Sequence, residues 1–282
     1  MKTSELCSVE ELHHLIDNKS VKILDGSWYL PSQNRDSKAE HRIQNIGGSS
    51  FFDIDTVCDP HTSLPHMLPD AAVFANAVSN LGINNSDSVI VYDSAGLFSA
   101  ARVWWMFKVF GHNSVQVLNG GLPAWLKAGG KTHNTVKAIE PSNFTAHLST
   151  NLVATKTLLM DNCESAEYLV LDARPKARFL GQAPEPRAGL PSGHMPRSLS
   201  LPIDQLIENG MLKSPHLLQT LFTNLGIDQS SKIITSCGSG VTAAIITLAL
   251  SESGLGLNKL YDGAWAEWGA AKDTPVLSNS TI

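Results

Sequence analysis

Cys237 stands in the stretch KIITSCGSGVTAAIITLAL (Lys232 to Leu250), between an apolar run rich in β-branched residues and an apolar run of helical length. If VTAAIITLAL is a helix, the N–H groups of its first turn and of the preceding loop have no partners within the helix. Gly238 and Gly240 let those groups turn inward, and the helix end adds partial positive charge, so the loop is shaped to cradle an anion. The same field favours thiolate over thiol, which makes Cys237 a candidate nucleophile. The ordinary alternative is a small buried hydrophobe, the fate of most lone cysteines, and that reading suits Cys7 and Cys163.

Other loop chemistries fit these residues less well. A nucleotide phosphate loop closes with Gly-Lys-Ser/Thr, and no Lys follows here. A serine elbow needs glycines two positions either side of Ser239, where the chain has Cys237 and Val241. A phosphate-holding cysteine loop needs a closing Arg, which CGSGVTAAI lacks. In DIDTVCDPHTSLPH, Asp55, Cys58, Asp59, His61 and His66 are of metal-ligand type, but their spacing matches no ligand pattern, and no metal site is expected.

The elements that would hold this corner alternate. KIITS and SVIVYD read as strands, and SPHLLQTLFTNLG reads as a helix with a Ser cap, Pro at its first position and Gly as its stop. At the N-terminus, Ser8 and Glu11 form a capping-box pattern ahead of another helix. Strands alternating with helices imply a parallel sheet covered on both faces, in which ligands bind outside the carboxyl ends of the strands. Cys237 lies at such an end.

The chain also repeats itself. NLGINNSDSVIVYDS from Asn80 answers NLGIDQSSKIITSCG from Asn224, which places Asp93 opposite Cys237. VKILDGS with Asp25 answers YLVLDAR with Asp172, and VLNGGLPAW answers KLYDGAWAEW with Gly121 opposite Gly263. Two similar halves are therefore expected in these 282 residues: a first domain over 1–135, a linker over 136–153 and a second domain over 154–282. ARVWWMF (Ala101 to Phe107) reads as a helix core face with Arg102 turned elsewhere. The composition is 43% hydrophobic and 17% charged, with a net charge of −5, which argues against nucleic acid or an anionic membrane as partner. With no signal-peptide pattern, no apolar run near the roughly 18 residues of a membrane span and four scattered cysteines, a cytoplasmic protein of free thiols is expected.

The loop, the strand before it and YDGAWAEW resemble the tandem-domain sulfurtransferases of the rhodanese family. FFDID, PHMLP, VIVYD, FSAARVWWMF, NGGLPAW, LDAR, EPRAGLPSGHMP, CGSGVTAA and YDGAWAEW all have counterparts there in order. Rhodaneses that use thiosulfate carry bulky basic residues after the cysteine; Gly238-Ser239-Gly240 is instead similar to the type that uses 3-mercaptopyruvate. Two departures stand out. Where the family has Gly-His-Ile-Pro-Gly-Ala, the first half reads QNIGGS (Gln44 to Ser49) and the second GHMPRS (Gly193 to Ser198), with Arg197 in place of a Gly.

The resemblance implies two rhodanese-like α/β domains, each a parallel sheet flanked by helices, with sulfur chemistry confined to the second. It implies that Cys237 takes sulfur as a persulfide, releases pyruvate and passes the sulfur to a thiol, cyanide or a thioredoxin-like protein, with no cofactor. Arg178 and Arg187 match the family's substrate-binding arginines, whose planar forks suit a 2-oxo acid. Gly238, Gly240, Val241 and Thr242 line the site, and Ser239, His66 and Asp55 form a proton relay in which a carboxylate orients an imidazole that deprotonates a hydroxyl. Arg174 is expected in a surface ion pair, His194 in a structural hydrogen bond, and Trp265 and Trp268 packed beside the cleft. Two readings compete: a thiosulfate sulfurtransferase of the same family, and a persulfide carrier serving one protein partner, though such a carrier has no need of an organic-acid pocket.

Overall fold

The computed structural model describes residues 4–18, 21–135 and 138–278. The start of the expected linker, Val136 and Lys137, lies outside them. The chain forms two compact units, one of Met1–Pro60, Leu68–Ser149 and Ile207–Leu212, the other of His61–Met67, Thr150–Leu206 and Lys213–Ile282. Each unit thus incorporates a short segment from the opposite half of the sequence.

In the first unit, strands β1 (Leu6–Cys7), β2 (Lys22–Asp25), β3 (Ser50–Phe51), β4 (Val89–Tyr92) and β5 (Val115–Leu118) form a sheet in the order β3-β2-β4-β5-β1. Every pairing is parallel. All four residues of β4 are buried, as a central parallel strand covered on both faces requires. Around the sheet run α1 (Val9–Asp17), α2 (Ser37–Ile43), α3 (Ala71–Asn80), α4 (Ala100–Val109) and α5 (Gly121–Lys127). The expected capping box is present at α1: Ser8 Oγ accepts the Glu11 N–H at 3.1 Å, and Glu11 Oε2 accepts the Ser8 N–H at 2.7 Å. Asp70 caps α3 with a single bond, its side chain accepting the Val73 N–H at 2.8 Å.

α4 is buried on every side, so Arg102 is not turned away from the core as its sequence position suggests. It is fully buried, with its guanidinium 4.6 Å from the Trp105 ring centroid. A helix wedged between a sheet and further chain has no solvent face, and the cation rests on an aromatic ring instead.

The second unit repeats this order. Strands β6 (Val153–Ala154), β7 (Leu169–Asp172), β8 (Ser198–Ser200), β9 (Ile233–Ser236) and β10 (Lys259–Tyr261) lie as β8-β7-β9-β10-β6, again all parallel. Its helices are α6 (Lys156–Ser165), α7 (Lys176–Phe179), α8 (Pro215–Asn224), α9 (Ala243–Glu252) and α10 (Ala264–Trp268). Ser214 caps α8, Pro215 opens it, and Gly226 at φ +74° follows its end, as the sequence pattern requires.

The borrowed segments hold one place in the repeat: Ile207–Leu212 lies between β8 and α8, and His61–Met67 between β3 and α3. Ile207–Leu212 is a β-hairpin turning at Asn209 (φ +53°) and Gly210 (φ +77°), the left-handed pair that a two-residue turn needs. In the first unit it lies against the loop that follows β4 and the start of α5. A Cβ on Gly96 would meet Gly210 O at 2.9 Å, one on Gly120 would meet Met211 Cγ at 2.8 Å, and the Leu212 N–H donates to Asn119 Oδ1 at 2.8 Å.

Candidate active site

The first unit shows what the corner loop is built to hold. Asp93 follows β4, is 1% exposed, and its carboxylate accepts the N–H groups of Ala95 (3.0 Å), Phe98 (2.7 Å) and Ala100 (2.9 Å). Burial raises the pKa of this carboxyl above the ordinary carboxylate range, and the three N–H bonds pull it the other way. Gly96, at φ +107°, supplies the left-handed turn that aims the loop inward. Three backbone donors at the head of a buried helix therefore converge on one acidic group.

The second unit places Cys237 at the same corner, after β9 and before α9, with Gly240 at φ +77° in the place of Gly96. By the repeat, Ala95, Phe98 and Ala100 correspond to Ser239, Thr242 and Ala244. Both corners are clamped from the neighbouring helix: the Leu122 N–H donates to Asp93 O, and the Trp265 N–H to Cys237 O, each at 2.9 Å. These bonds pair Gly121 (φ +52°) with Ala264 (φ +50°), one residue from the pairing with Gly263 read in the sequence. The left-handed turn and the carbonyl clamp define the position, whereas the glycine itself has moved.

Cys237 is 1% exposed, Ser239 7% and Val241 2%, so sulfur, hydroxyl and loop are drawn together out of water. The Gly238 N–Cα–C unit has space on its side-chain face, where a Cβ would come only within 4.0 Å of Arg187 Nη1. This places a guanidinium beside the corner. Arg178, next to the last residue of α7, keeps 23% of its side chain exposed, with Nη1 3.2 Å from Glu185 Oε2.

Arg174 corrects its expected surface position. It is 1% exposed, bound bidentately to Asp172 (Nη2–Oδ2 2.6 Å, Nε–Oδ1 3.1 Å), paired with Glu185 Oε1 at 2.7 Å and set 4.0 Å from the Trp265 ring centroid. The carboxylates beside it raise its pKa against the opposing pull of burial. Asp172 closes β7, so the guanidinium is fixed by the sheet itself, and Glu185 joins it to Arg178. Sequence reasoning missed Glu185; its signal was the alternation of charge in RPKARFLGQAPEPR, where an acid falls between the cations.

Trp265 and Trp268 are both fully buried in the core of this unit, with indole N–H groups donating to Pro191 O (2.8 Å) and Pro275 O (2.9 Å). His194 has the structural role expected of it, its Nδ1 2.8 Å from Phe179 O and its ring stacked on Phe179 at 4.1 Å. His66 belongs to the second unit with Cys237, is 6% exposed and has φ +59°, a left-handed conformation that is uncommon outside glycine. Asp55 belongs to the first unit, where it is exposed and its Oδ2 accepts the Trp28 indole N–H at 3.0 Å. The remaining cysteines are thiols: burial pushes Cys7 up to about 12 and raises Cys58 and Cys163.

Compared with known proteins, the chain matches the rhodanese-like domain over residues 8–128 and again over 155–271. It is 39% identical to the 3-mercaptopyruvate sulfurtransferase of Escherichia coli strain K12, over 98% of this chain and 99% of that one. It is 40% identical to thiosulfate/3-mercaptopyruvate sulfurtransferase 1, mitochondrial, of Arabidopsis thaliana, over 99% of this chain and 79% of that one. The crystal structure of SseA from Escherichia coli, a protein of the 3-mercaptopyruvate type with the rhodanese fold, superposes with a TM-score of 0.85 at 36% identity, covering 93% of this chain and 99% of that one.

Proposed function

The chain belongs to the rhodanese-like family and carries two of its domains, and from that premise we propose that it is a sulfurtransferase moving sulfur from 3-mercaptopyruvate to an acceptor through a persulfide on Cys237. The observation that carries this reading is the pair of matched corners. One turns three backbone N–H groups onto the buried Asp93 side chain; the other sets the Cys237 sulfur at the same point of the same loop.

The donor's carboxylate binds the forks of Arg178 and Arg187, which leaves its thiol facing the corner. Cys237 thiolate attacks the donor sulfur, forming the S–S bond as the C–S bond breaks. The electron pair of that bond leaves on carbon as the pyruvate enolate, which takes a proton to become pyruvate. Loop N–H groups, among them those of Gly238, Gly240, Val241 and Thr242, hold the sulfur pair in the manner of the Asp93 carboxylate. The proton of the donor thiol passes to Ser239 and His66. Support for His66 comes from the repeat: its segment holds the place of the hairpin that lies against the Asp93 corner of the first unit. An acceptor thiolate, cyanide or a reduced thioredoxin-like protein then attacks the outer sulfur and restores Cys237. No cofactor is required, and the cytosol, where thiols stay reduced, is the proposed compartment. Among the described residues, no helix is long and apolar enough to cross a membrane.

Incubation with 3-mercaptopyruvate and no acceptor should release pyruvate and add the mass of one sulfur atom to the protein. Full activity in Cys237→Ser would sink the reading. Thiosulfate is the second donor to test, because the Arabidopsis relative is named for both. With glycine and serine in the loop, kcat/KM should favour mercaptopyruvate; a preference for thiosulfate would reverse the assignment.

A further inference from the structure

The two arginines assigned to the donor are not held alike. Glu185 divides its carboxylate between two guanidiniums, Oε1 accepting from Arg174 Nη1 at 2.7 Å and Oε2 from Arg178 Nη1 at 3.2 Å. Its side chain is 3% exposed, so the bridge lies out of water, where a charged hydrogen bond is strongest. Arg187, half-buried beside Gly238, has no carboxylate partner among the described residues.

The bridge leads back to the sheet. Arg174 is locked to Asp172 at the end of β7, and its Nη2 also donates to Gly193 O at 2.7 Å, while the Gly193 N–H donates to Arg178 O at 3.0 Å. Arg178 is thus tied through both its side chain and its backbone to groups that the buried Arg174 holds. A guanidinium can grip a carboxylate along either of two edges, Nη1 with Nη2 or Nε with Nη2. Glu185 takes Nη1, and among the described residues the Nε–Nη2 edge has no partner. Charge alone gives Glu185 no reason to be there. Three arginines face two carboxylates in this cluster, and the second carboxylate weakens the field that draws in an anion. Any help it gives to binding comes through geometry.

We propose that Glu185 is a positioning residue for the donor, which fixes the Arg178 guanidinium so that its Nε–Nη2 edge is presented to the 2-oxo acid carboxylate before the donor arrives. Arg187 is ordered only on binding. The inference rests on the assignment of Arg178 to the donor carboxylate, and it divides the labour between the two cations: one is a fixed anchor, the other a closing clamp.

The test is steady-state kinetics of the full-length protein with 3-mercaptopyruvate and cyanide. Glu185→Gln should raise KM about fivefold, the effect of ordering one long side chain only on binding. Its kcat should stay within about twofold of the wild type, because the carboxylate contact is the same in ground and transition states. Glu185→Asp keeps the charge but is one methylene short of spanning both arginines. It should raise KM likewise, and it carries the test by itself if Glu185→Gln does not fold. In an Arg178→Met background, Glu185→Gln should change KM by less than about twofold, since its effect runs through Arg178. A KM that is unchanged or lower in the Glu185 variants, or a full rise on top of Arg178→Met, would overturn the proposal and leave the sulfurtransferase reading standing. Failure of the wild type to release pyruvate would overturn that reading, and this proposal with it.

Discussion

Arg197 occupies the place of a family glycine, and its backbone keeps the shape that a glycine would give, at φ +60° with the side chain exposed. Its carbonyl accepts the Val170 N–H at 3.1 Å, so the turn remains tied to the sheet. A left-handed conformation costs an L-residue roughly 1–2 kcal/mol, partly offset by the greater freedom that glycine has in the unfolded chain. Arg197→Gly should therefore raise stability by about 0.5–1 kcal/mol, read as a higher urea midpoint at unchanged slope. The departure alters the local energy and leaves the turn in place. Arg174 teaches the opposite lesson at this scale. A lone Arg in a polar stretch reads as surface, because nothing local announces that Asp172, Glu185 and the Trp265 ring will meet it in the interior.

α4 ends at Val109, and the loop after it places His112 beside Phe107 (5.5 Å between ring centroids) and Phe144 (5.6 Å). Burial holds this imidazole below its ordinary value of 6.5. The folded state therefore binds fewer protons than the unfolded state just below that pH. The stabilisation is complete above 6.5 and declines as the pH falls from there toward the depressed folded value. Urea midpoints taken between about pH 7 and pH 5 should fall in the wild type and fall less in His112→Gln; equal slopes would refute the assignment. Elements of this kind were legible in the sequence wherever the signal is local. The Ser8–Glu11 box, the Ser214-Pro215 start of α8 and the apolar runs of β4 and β9 lie within a few residues and declare themselves. The corner and its Asp93 counterpart were legible because the chain states the pattern twice. The Gly121–Ala264 register was not, because a carbonyl clamp made across the fold settles it. Burial of Arg102 was hidden for the same reason, since a helix pattern cannot report that its outer face is also covered.

The two units share one strand order and one corner, and each includes a segment encoded in the opposite half. A chain divided between Ser149 and Thr150 would leave the first part without the hairpin at Gly96, Asn119 and Gly120, and the second without the segment bearing His66. Expressed singly, the two parts should be poorly folded and devoid of sulfur transfer; expressed together they should recover activity. Full activity from residues 150–282 alone would show that the His66 segment is dispensable. The hairpin also bears on the order in which the molecule is made. Domains commonly close one after another as they leave the ribosome, at about 5–20 residues per second. Here the first unit must wait several seconds beyond Ser149 for Ile207–Leu212 to be synthesised, so it closes only when β6, β7 and β8 of the second sheet have been made and β9 and β10 have not.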